Sequence, residues 1–459
     1  MPASSASAAT PKDAPTKDLS PVLRSAFVAR RSAELCALFL GVVFGLQPVA
    51  HAAEPAVADY KHLGVASCAT SVCHGKLAAQ PGKNVALNEY RVWTQEDRHA
   101  QAYRTLELAE SKRIAANLGL ASAATAKICL DCHSDNVPAD KRGPKFQLSD
   151  GIGCEACHGG SEKWIETHAA ESAVHKDNVA RGMYSSEQPL KRAELCLSCH
   201  LGTKDKFATH AIMGAGHPRL SFELEAYTTN QPAHYVVDAD YLQRKGKIEG
   251  INLWLTGQIE NARRSLTLLQ SGLFHPEGMF PEFAFYDCHS CHHPMDKIRW
   301  NAQRAGVGIK PGTLRLQSQN FVILQAATQV LEPAALPELV NLTNGLIRAG
   351  QRDPAAVNAA AKALLDWIAR RDALSKRQFS RAEVIDVRRM LISYGATDKA
   401  GDYAAAEQIV LGVESLSYSL GDRDGKKALL DTLYNAVKND TTFSPQVFAA
   451  AAKNAQGKF

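Results

Sequence analysis

The sequence predicts a mainly α-helical protein, with a loop-rich, cysteine-bearing segment followed by a C-terminal helical bundle. Three observations predict it. No Cys or His occurs after His293. Between residues 53 and 312, Gly/Pro-rich and charged stretches separate short helical segments. From residue 313 onward, apolar residues recur at spacings of three and four, as in "ALLDWIARRDAL" and "EVIDVRRMLISYG", the period of a helix with one buried face. A chain of 459 residues has room for two or three domains of usual size.

The first element reads as an export signal. Residues 1–31 are polar and Ala/Ser-rich and end in Arg30 and Arg31, and the apolar run "CALFLGVVFGLQPVA" leads to the small-x-small pattern Ala50-His51-Ala52. That order is a secretory signal with a long polar start, expected to end near residue 52. The alternative, a membrane anchor, needs about 20 apolar residues, and this run is short for it. The Arg pair lacks the fuller twin-arginine context, which favours ordinary export to the periplasm. Nothing later reads as a membrane span, so the chain is not expected to be an integral membrane protein after signal cleavage.

The second element, residues 53–312, carries the chemistry. Of the 11 cysteines, Cys36 falls in the signal. The other ten form five pairs: Cys68/Cys73 in "CATSVCH", Cys129/Cys132 in "CLDCH", Cys154/Cys157 in "CEACH", Cys196/Cys199 in "CLSCH" and Cys288/Cys291 in "CHSCH". A histidine follows every pair: His74, His133, His158, His200 and His292. This is the attachment signature of c-type haem. Two thiols bond the haem, and the adjacent imidazole becomes the proximal iron ligand. The first motif has four intervening residues, which fits if the extra residues loop out. A zinc site is the first rival, but a His adjacent to its Cys cannot easily share one tetrahedral ion. A disulfide framework suits an exported chain, yet leaves the five trailing histidines without a purpose. A single redox dithiol would occur once.

A low-potential carrier places a second His on each iron. Setting aside His51 in the signal, ten histidines remain for that role. Five are the candidates by context. His99 lies in "EYRVWTQEDRHAQAYRTL", where aromatic spacing predicts a helix packed on the porphyrin. His168 follows His158 by ten residues and is expected to reach a neighbouring haem. His210 and His217 flank "AIMGAG", whose glycines allow backbone close to a flat cofactor. His62 lies just upstream of Cys68. His175, His234, His275, His289 and His293 read as surface groups or partners of haem propionates. Met213 and Met295 are thioether alternatives, more often gap-fillers.

The stretches "SCATSVCHG…EYRVWTQEDRHAQAY", "CLDCH", "GIGCEACHGG…WIETH", "CLSCH" and "GHPRLSFEL" together resemble the multihaem cytochrome c family that includes the tetrahaem electron acceptor of hydroxylamine oxidoreductase. The resemblance covers roughly residues 60–230. It implies stacked haem pairs, a largely helical, loop-rich fold, and one haem without a second protein ligand. By motif position it assigns distal roles to His99 and His168, and more loosely to His62 and His217. The chain departs from the family in its long first motif, its fifth motif and its C-terminal extension, so the hydroxylamine link does not transfer.

About 50 residues per haem is too few for a separate protein core around each, so the haems are expected to form much of the core themselves. Within this segment "INLWLTGQIENARRSLTLLQSG" predicts one amphipathic helix, stopping near Gly272. The third element, residues 313–459, is expected to be a bundle of about six helices. Asp353-Pro354 and Ser444-Pro445 read as cap-then-proline starts, and Ser380 with Glu383 as a capping box. Scaffolding is its expected role, with partner docking or dimerisation as the other reading.

The formal charge of +5 is too small, and its basic residues too scattered, for nucleic-acid binding. Loss of residues 1–52 leaves +3, and five pairs of ionised propionates would bring the loaded protein to about −7. No phosphate loop, nucleophile elbow, HExxH or CxxCK motif is present; the last is the lysine-ligated site of pentahaem nitrite reductases. The sequence therefore predicts a periplasmic electron carrier between redox-protein donor and acceptor, with a membrane-associated quinol dehydrogenase as a candidate donor. The alternative is an oxidoreductase acting on a small nitrogen or sulfur compound at one open haem, with "CATSVCH" and "CHSCH" as the candidates for that haem.

Overall fold

A computed structural model of the chain describes residues 60–80, 85–275, 281–293, 309–310 and 313–459. The expected export signal, 1–52, and Met295 lie outside the described residues. The described chain is mainly α, and its only extended pairings are two isolated bridges, His62 with Arg142 and Tyr286 with Leu316.

The motif-bearing part consists of short helices separated by turns: α1 (Glu89–Glu96), α2 (Ala102–Thr105), α3 (Ala109–Asn117), α4 (Lys127–His133), α5 (Cys154–His158), α6 (His175–Ala180), α7 (Pro189–His200), α8 (His210–Gly214), α9 (Leu224–Asn230) and α10 (Ala239–Lys245). Its apolar clusters are small. One gathers Leu106, Ala115, Ala123 and Leu130, and another Ala193, Leu197, Phe222, Leu224 and Leu253. Most side chains of the Cys–His motifs are only half-buried. A segment of this length with so little apolar core of its own needs another apolar body to pack on.

The long helix α11 (Gly250–Leu269) follows. The sequence predicts it to be amphipathic, but Trp254, Leu255, Ala262 and Leu266 are fully enclosed and Gln258 and Glu260 are buried as well. It belongs to the same large apolar cluster as the C-terminal helices. The bundle's core therefore reaches back across residue 313, and α11 is the shared wall.

Among the described residues, the C-terminal part has seven helices: α12 (Gln319–Leu331), α13 (Leu336–Ala349), α14 (Pro354–Ala369), α15 (Arg381–Gly395), α16 (Tyr403–Leu420), α17 (Lys427–Ala436) and α18 (Pro445–Ala455). The spacing predicts about six; Gly421, in the left-handed region at φ 69°, ends α16 and makes room for the additional α17. The expected starts are present. The Asp353 carboxylate accepts Ala356 N–H and the Ser444 hydroxyl accepts Val447 N–H, while Ser380 and Glu383 form a reciprocal capping box. Such caps satisfy amide groups the first turn leaves without partners. Among the described residues, no helix is long and apolar enough to cross a membrane.

Candidate haem sites

Three motifs are built directly into helices. Cys129, Cys132 and His133 end α4, Cys154, Cys157 and His158 make up α5, and Cys196, Cys199 and His200 end α7. On a helix, positions i, i+3 and i+4 share one face. Each motif therefore presents two thiols and an imidazole in one direction. In the fifth motif the backbone does the same with one turn, His292 N–H donating to Cys288 O at 2.7 Å.

The first motif reaches the same arrangement by a loop. His74 N–H donates to Cys68 O at 3.1 Å, so the imidazole returns beside the first thiol despite two extra residues. Thr70 O accepts both Cys73 and Gly75 N–H, and Val72 is thrown outward, 83% exposed. Gly75 is required here, because a Cβ would overlap the Ala69 carbonyl.

The fifth motif differs from the expected pattern at its second anchor. Cys291 is exposed, whereas the other nine motif cysteines are partly buried. The reason is local. The 3₁₀ turn Cys288–Ser290 stops at Cys291, so this thiol sits just past the turn. Cys199, by contrast, sits in the final turn of α7, which packs on α11. His292 and His210 are exposed as well. The sequence reads Cys291 as equivalent to the other anchors; the structure leaves its thiol exposed.

Each motif histidine faces a second histidine from elsewhere in the chain. Ring centroids lie 6.1 Å apart for His74 and His168, 6.3 Å for His200 and His99, 6.3 Å for His133 and His217, 6.1 Å for His158 and His234, and 6.2 Å for His292 and His210. Direct ring stacking is closer and variable. Two metal–nitrogen bonds of about 2.0 Å, plus roughly 1.1 Å from each nitrogen to its ring centre, give about 6.2 Å. The pairs thus have the spacing of imidazoles on opposite sides of one iron. The planes are nearly parallel for His74/His168, at 14°, and tilted 34° for His210/His292. They are near-perpendicular for the other three.

Half of these rings are oriented from behind through Nδ1, which leaves Nε2 for the partner side. His74 Nδ1 donates to Glu89 at 2.9 Å, and His99 Nδ1 to Asp97 at 2.8 Å. Carbonyl groups take the same role for His133 (Ala102, 3.0 Å), His168 (Trp164, 3.3 Å) and His217 (Pro218, 2.8 Å). Such outer partners fix the tautomer of a ligating imidazole. Burial pushes His158 down to about 4 and also lowers His133, His168, His200 and His234, favouring the neutral, ligating form. Burial alone would raise the Asp97 carboxyl, but hydrogen bonds from His99 and Gln231 outweigh it and hold it at about 2. The same Asp97 bond raises His99, and Glu89 raises His74.

The motifs also meet one another. Cys68 and Cys154, from the first and third motifs, lie beside one another, and Cys199 of the fourth motif lies 4.0 Å from the Asp131 carbonyl oxygen of the second. The fifth joins through α8. His210 begins that helix, its N–H donating to Glu282 Oε1 at 2.7 Å, and His217 lies just past the helix end. One short element thus faces both His292 and His133. The fifth motif is also tied to the bundle, His289 Nε2 donating to Asp440 O at 2.8 Å and Asp287 N–H to Arg315 O at 2.8 Å.

Four of the five expected distal candidates, His99, His168, His210 and His217, stand opposite a motif histidine. His99 does so from a 3₁₀ turn, Arg98–Gln101, rather than from the tryptophan-bearing helix. Asp97, in extended backbone, ends α1 and caps the turn through His99 N–H. His62 is not brought to any motif histidine. The bridge to Arg142 fixes its backbone, and its Nδ1 donates to Asp135 at 2.6 Å, 2% of the ring being exposed. His234 stands in the fifth place. The sequence around it, "NQPAHY", has none of the helical aromatic spacing that singled out His99. Its position comes from a distant bond, Gln231 Nε2 donating to Asp97 Oδ2 at 2.9 Å. Of the others, His175 bonds Glu187 at 2.9 Å, and Met213 lies within α8 beside His210.

The ten motif thiols are free, and among the described residues no three His, Cys, Asp or Glu side chains converge to hold an ion; the histidines meet in twos. No curated protein and no solved structure matches the chain. Residues 65–159 match the family described as Cytochrome c554 and c-prime, and that match, over the segment holding the first three motifs, supports a c-type cytochrome that binds haem covalently and works in electron transfer.

Proposed function

We propose that this chain is a periplasmic electron carrier holding five c-type haems, each iron ligated by two histidines. The observation that carries the reading is the set of five facing pairs at 6.1–6.3 Å. His74, His133, His158, His200 and His292 serve as proximal ligands, with His168, His217, His234, His99 and His210 opposite them in that order. The paired cysteines supply the thioether anchors, Cys291 from its exposed position. Bound haem supplies a one-electron ferric/ferrous couple; the protein holds it, orients its ligands and excludes competing ligands from the iron. With both faces taken, an oxidoreductase site at an open haem has no iron to use, the "CATSVCH" and "CHSCH" irons included.

The contacts of first with third motif and second with fourth support close haem pairs. The α8 helix links the fifth to the second. Electrons then hop along this chain between a respiratory donor, of the quinol-dehydrogenase class, and an acceptor. In this reading residues 1–52 direct export, 53–312 hold the haems, and 313–459 form the scaffold against which the fifth haem is fixed.

The test is the mature protein expressed with haem-maturation machinery. Its mass should include five haems, its ferric spectrum should be wholly low-spin, and carbon monoxide should leave the ferrous spectrum unchanged. Fewer than five haem masses, or high-spin iron in the untreated protein, would overturn the assignment.

A further inference from the structure

A lysine sits where the second and fourth motifs touch. Lys206 Nζ is 3.1 Å from Cys199 Sγ and 3.4 Å from the Asp131 carbonyl oxygen. Cys199 Sγ lies 4.0 Å from the same Asp131 carbonyl, the residue just before Cys132, so the ammonium borders both motifs. Its backbone is held by a tight turn. Thr203 N–H donates to Lys206 O at 2.7 Å, and Lys206 N–H to Thr203 Oγ1 at 3.3 Å. Gly202, at φ 118°, lets that carbonyl approach where a Cβ would collide with it. The neighbouring carboxylate does not neutralise the lysine directly. The Asp131 side chain is taken by Lys127 and by the Asn136 amide, and Lys206 binds that residue's carbonyl instead. Once the thioether bonds form, the sulfurs carry no charge, and the half-buried ammonium remains as a positive charge at this edge, with the Asp131 carboxylate acting on it without a direct bond.

A fixed positive charge at partial burial favours the iron state with one more electron, because ferric iron becoming ferrous lowers the positive charge it faces. Burial and hydrogen bonds at the sulfur edge are recognised levers on haem potential. We propose that Lys206 is a potential-setting residue, whose ammonium raises the electron affinity of the second and fourth haems. The step is a single electron passing from the respiratory donor to ferric iron; no bond is made and no proton moves. This rests on haem being held at those two motifs.

The test is potentiometry of the full, haem-loaded protein, followed optically and by electron paramagnetic resonance, on Lys206→Met, Lys206→Gln and Lys206→Arg. Loss of charge should weaken electron affinity at least tenfold in one or two of the resolved components, about 59 mV for a one-electron couple. Lys206→Arg should stay within that margin of the unaltered protein. Unchanged curves in both charge-removing variants, or an equal shift of every component, would overturn the proposal. So would failure of both variants to take up haem, which would make the lysine structural. Absence of haem at the second or fourth motif in the unaltered protein, read by mass, would instead remove the five-haem reading itself.

Discussion

Glu155, inside the third motif, is the residue whose loss should cost most for its size. It is 4% exposed. Its Oε1 accepts Leu63 N–H at 2.7 Å, Ser161 N–H at 2.8 Å and the Ser161 hydroxyl at 2.5 Å, and its Oε2 accepts Gly64 N–H at 2.7 Å. The carboxylate thereby clamps the chain just ahead of the first motif onto the third, beside the Cys68–Cys154 contact. Glu155→Ala leaves three backbone N–H groups and a hydroxyl without an acceptor. A stranded buried donor costs about 1–3 kcal/mol. The hydroxyl can turn elsewhere and water can enter the gap, so the total should be about 4 kcal/mol, in line with removing one partner of a buried charged network. Glu155→Gln keeps one acceptor oxygen and sets an amide N–H₂ against one donor, so about 2 kcal/mol is expected. The assay is guanidinium chloride unfolding of the loaded protein, followed by circular dichroism, with slopes checked for equality. An alanine variant within about 1 kcal/mol of the unaltered protein, or a glutamine variant as costly as alanine, would refute the account.

His234→Ala should open one iron, giving a high-spin component that binds carbon monoxide, whereas His62→Ala should leave all iron low-spin and instead cost about 1–3 kcal/mol, because it empties a buried site and removes the partner of the partly buried Asp135 carboxylate; optical spectra of the two variants separate these outcomes. Gly75→Ala should lower haem occupancy at the first motif alone, since the added Cβ meets the Ala69 carbonyl; peptide mass mapping measures it. Burial pushes the Glu223 carboxyl up to about 7, and burial, then the charge of Glu223, pushes Glu225 to about 8. A raised folded-state value means the stabilising contribution is complete below the unfolded value, near 4.5, and is lost as pH rises through the folded one. Stability should therefore fall between about pH 4.5 and 7 by on the order of 3 kcal/mol for Glu223, and Glu223→Gln should make the curve shallower in that window, with the Glu225 part remaining. Unfolding free energies measured across the range check it, and an equally steep curve in the variant would count against the assignment.

Local chemistry made several features legible in the sequence. The five Cys–His motifs are contiguous in the chain, and their spacing is read without knowing the fold. Helical period and caps marked the bundle, because Ser380, Asp353 and Ser444 act within one turn of themselves. His99, His210 and His217 stood out because aromatic or glycine context lies beside them in sequence, and His168 because it follows His158 by ten residues.

What the sequence did not contain was long-range placement. The sequence singles out His62, upstream of Cys68, and passes over His234. A bridge to Arg142 and a bond to Asp135 draw the first away from any motif histidine, and a bond from Gln231 to Asp97 sets the second opposite His158. Cys291 and Cys199 occupy the same place in their motifs, yet one is exposed and the other partly buried, because burial depends on what packs over a motif and not on its spacing. The amphipathic reading of α11 failed for a related reason. Periodicity reports one buried face, and only the packed molecule shows α11 enclosed on both sides, between α7 and the bundle helices. By itself the sequence marked the five Cys–His motifs and the helical character of the chain. The tertiary structure decided which histidines face each other, which motifs touch, and that Lys206 lies between two of them, because each depends on contacts between residues far apart in sequence.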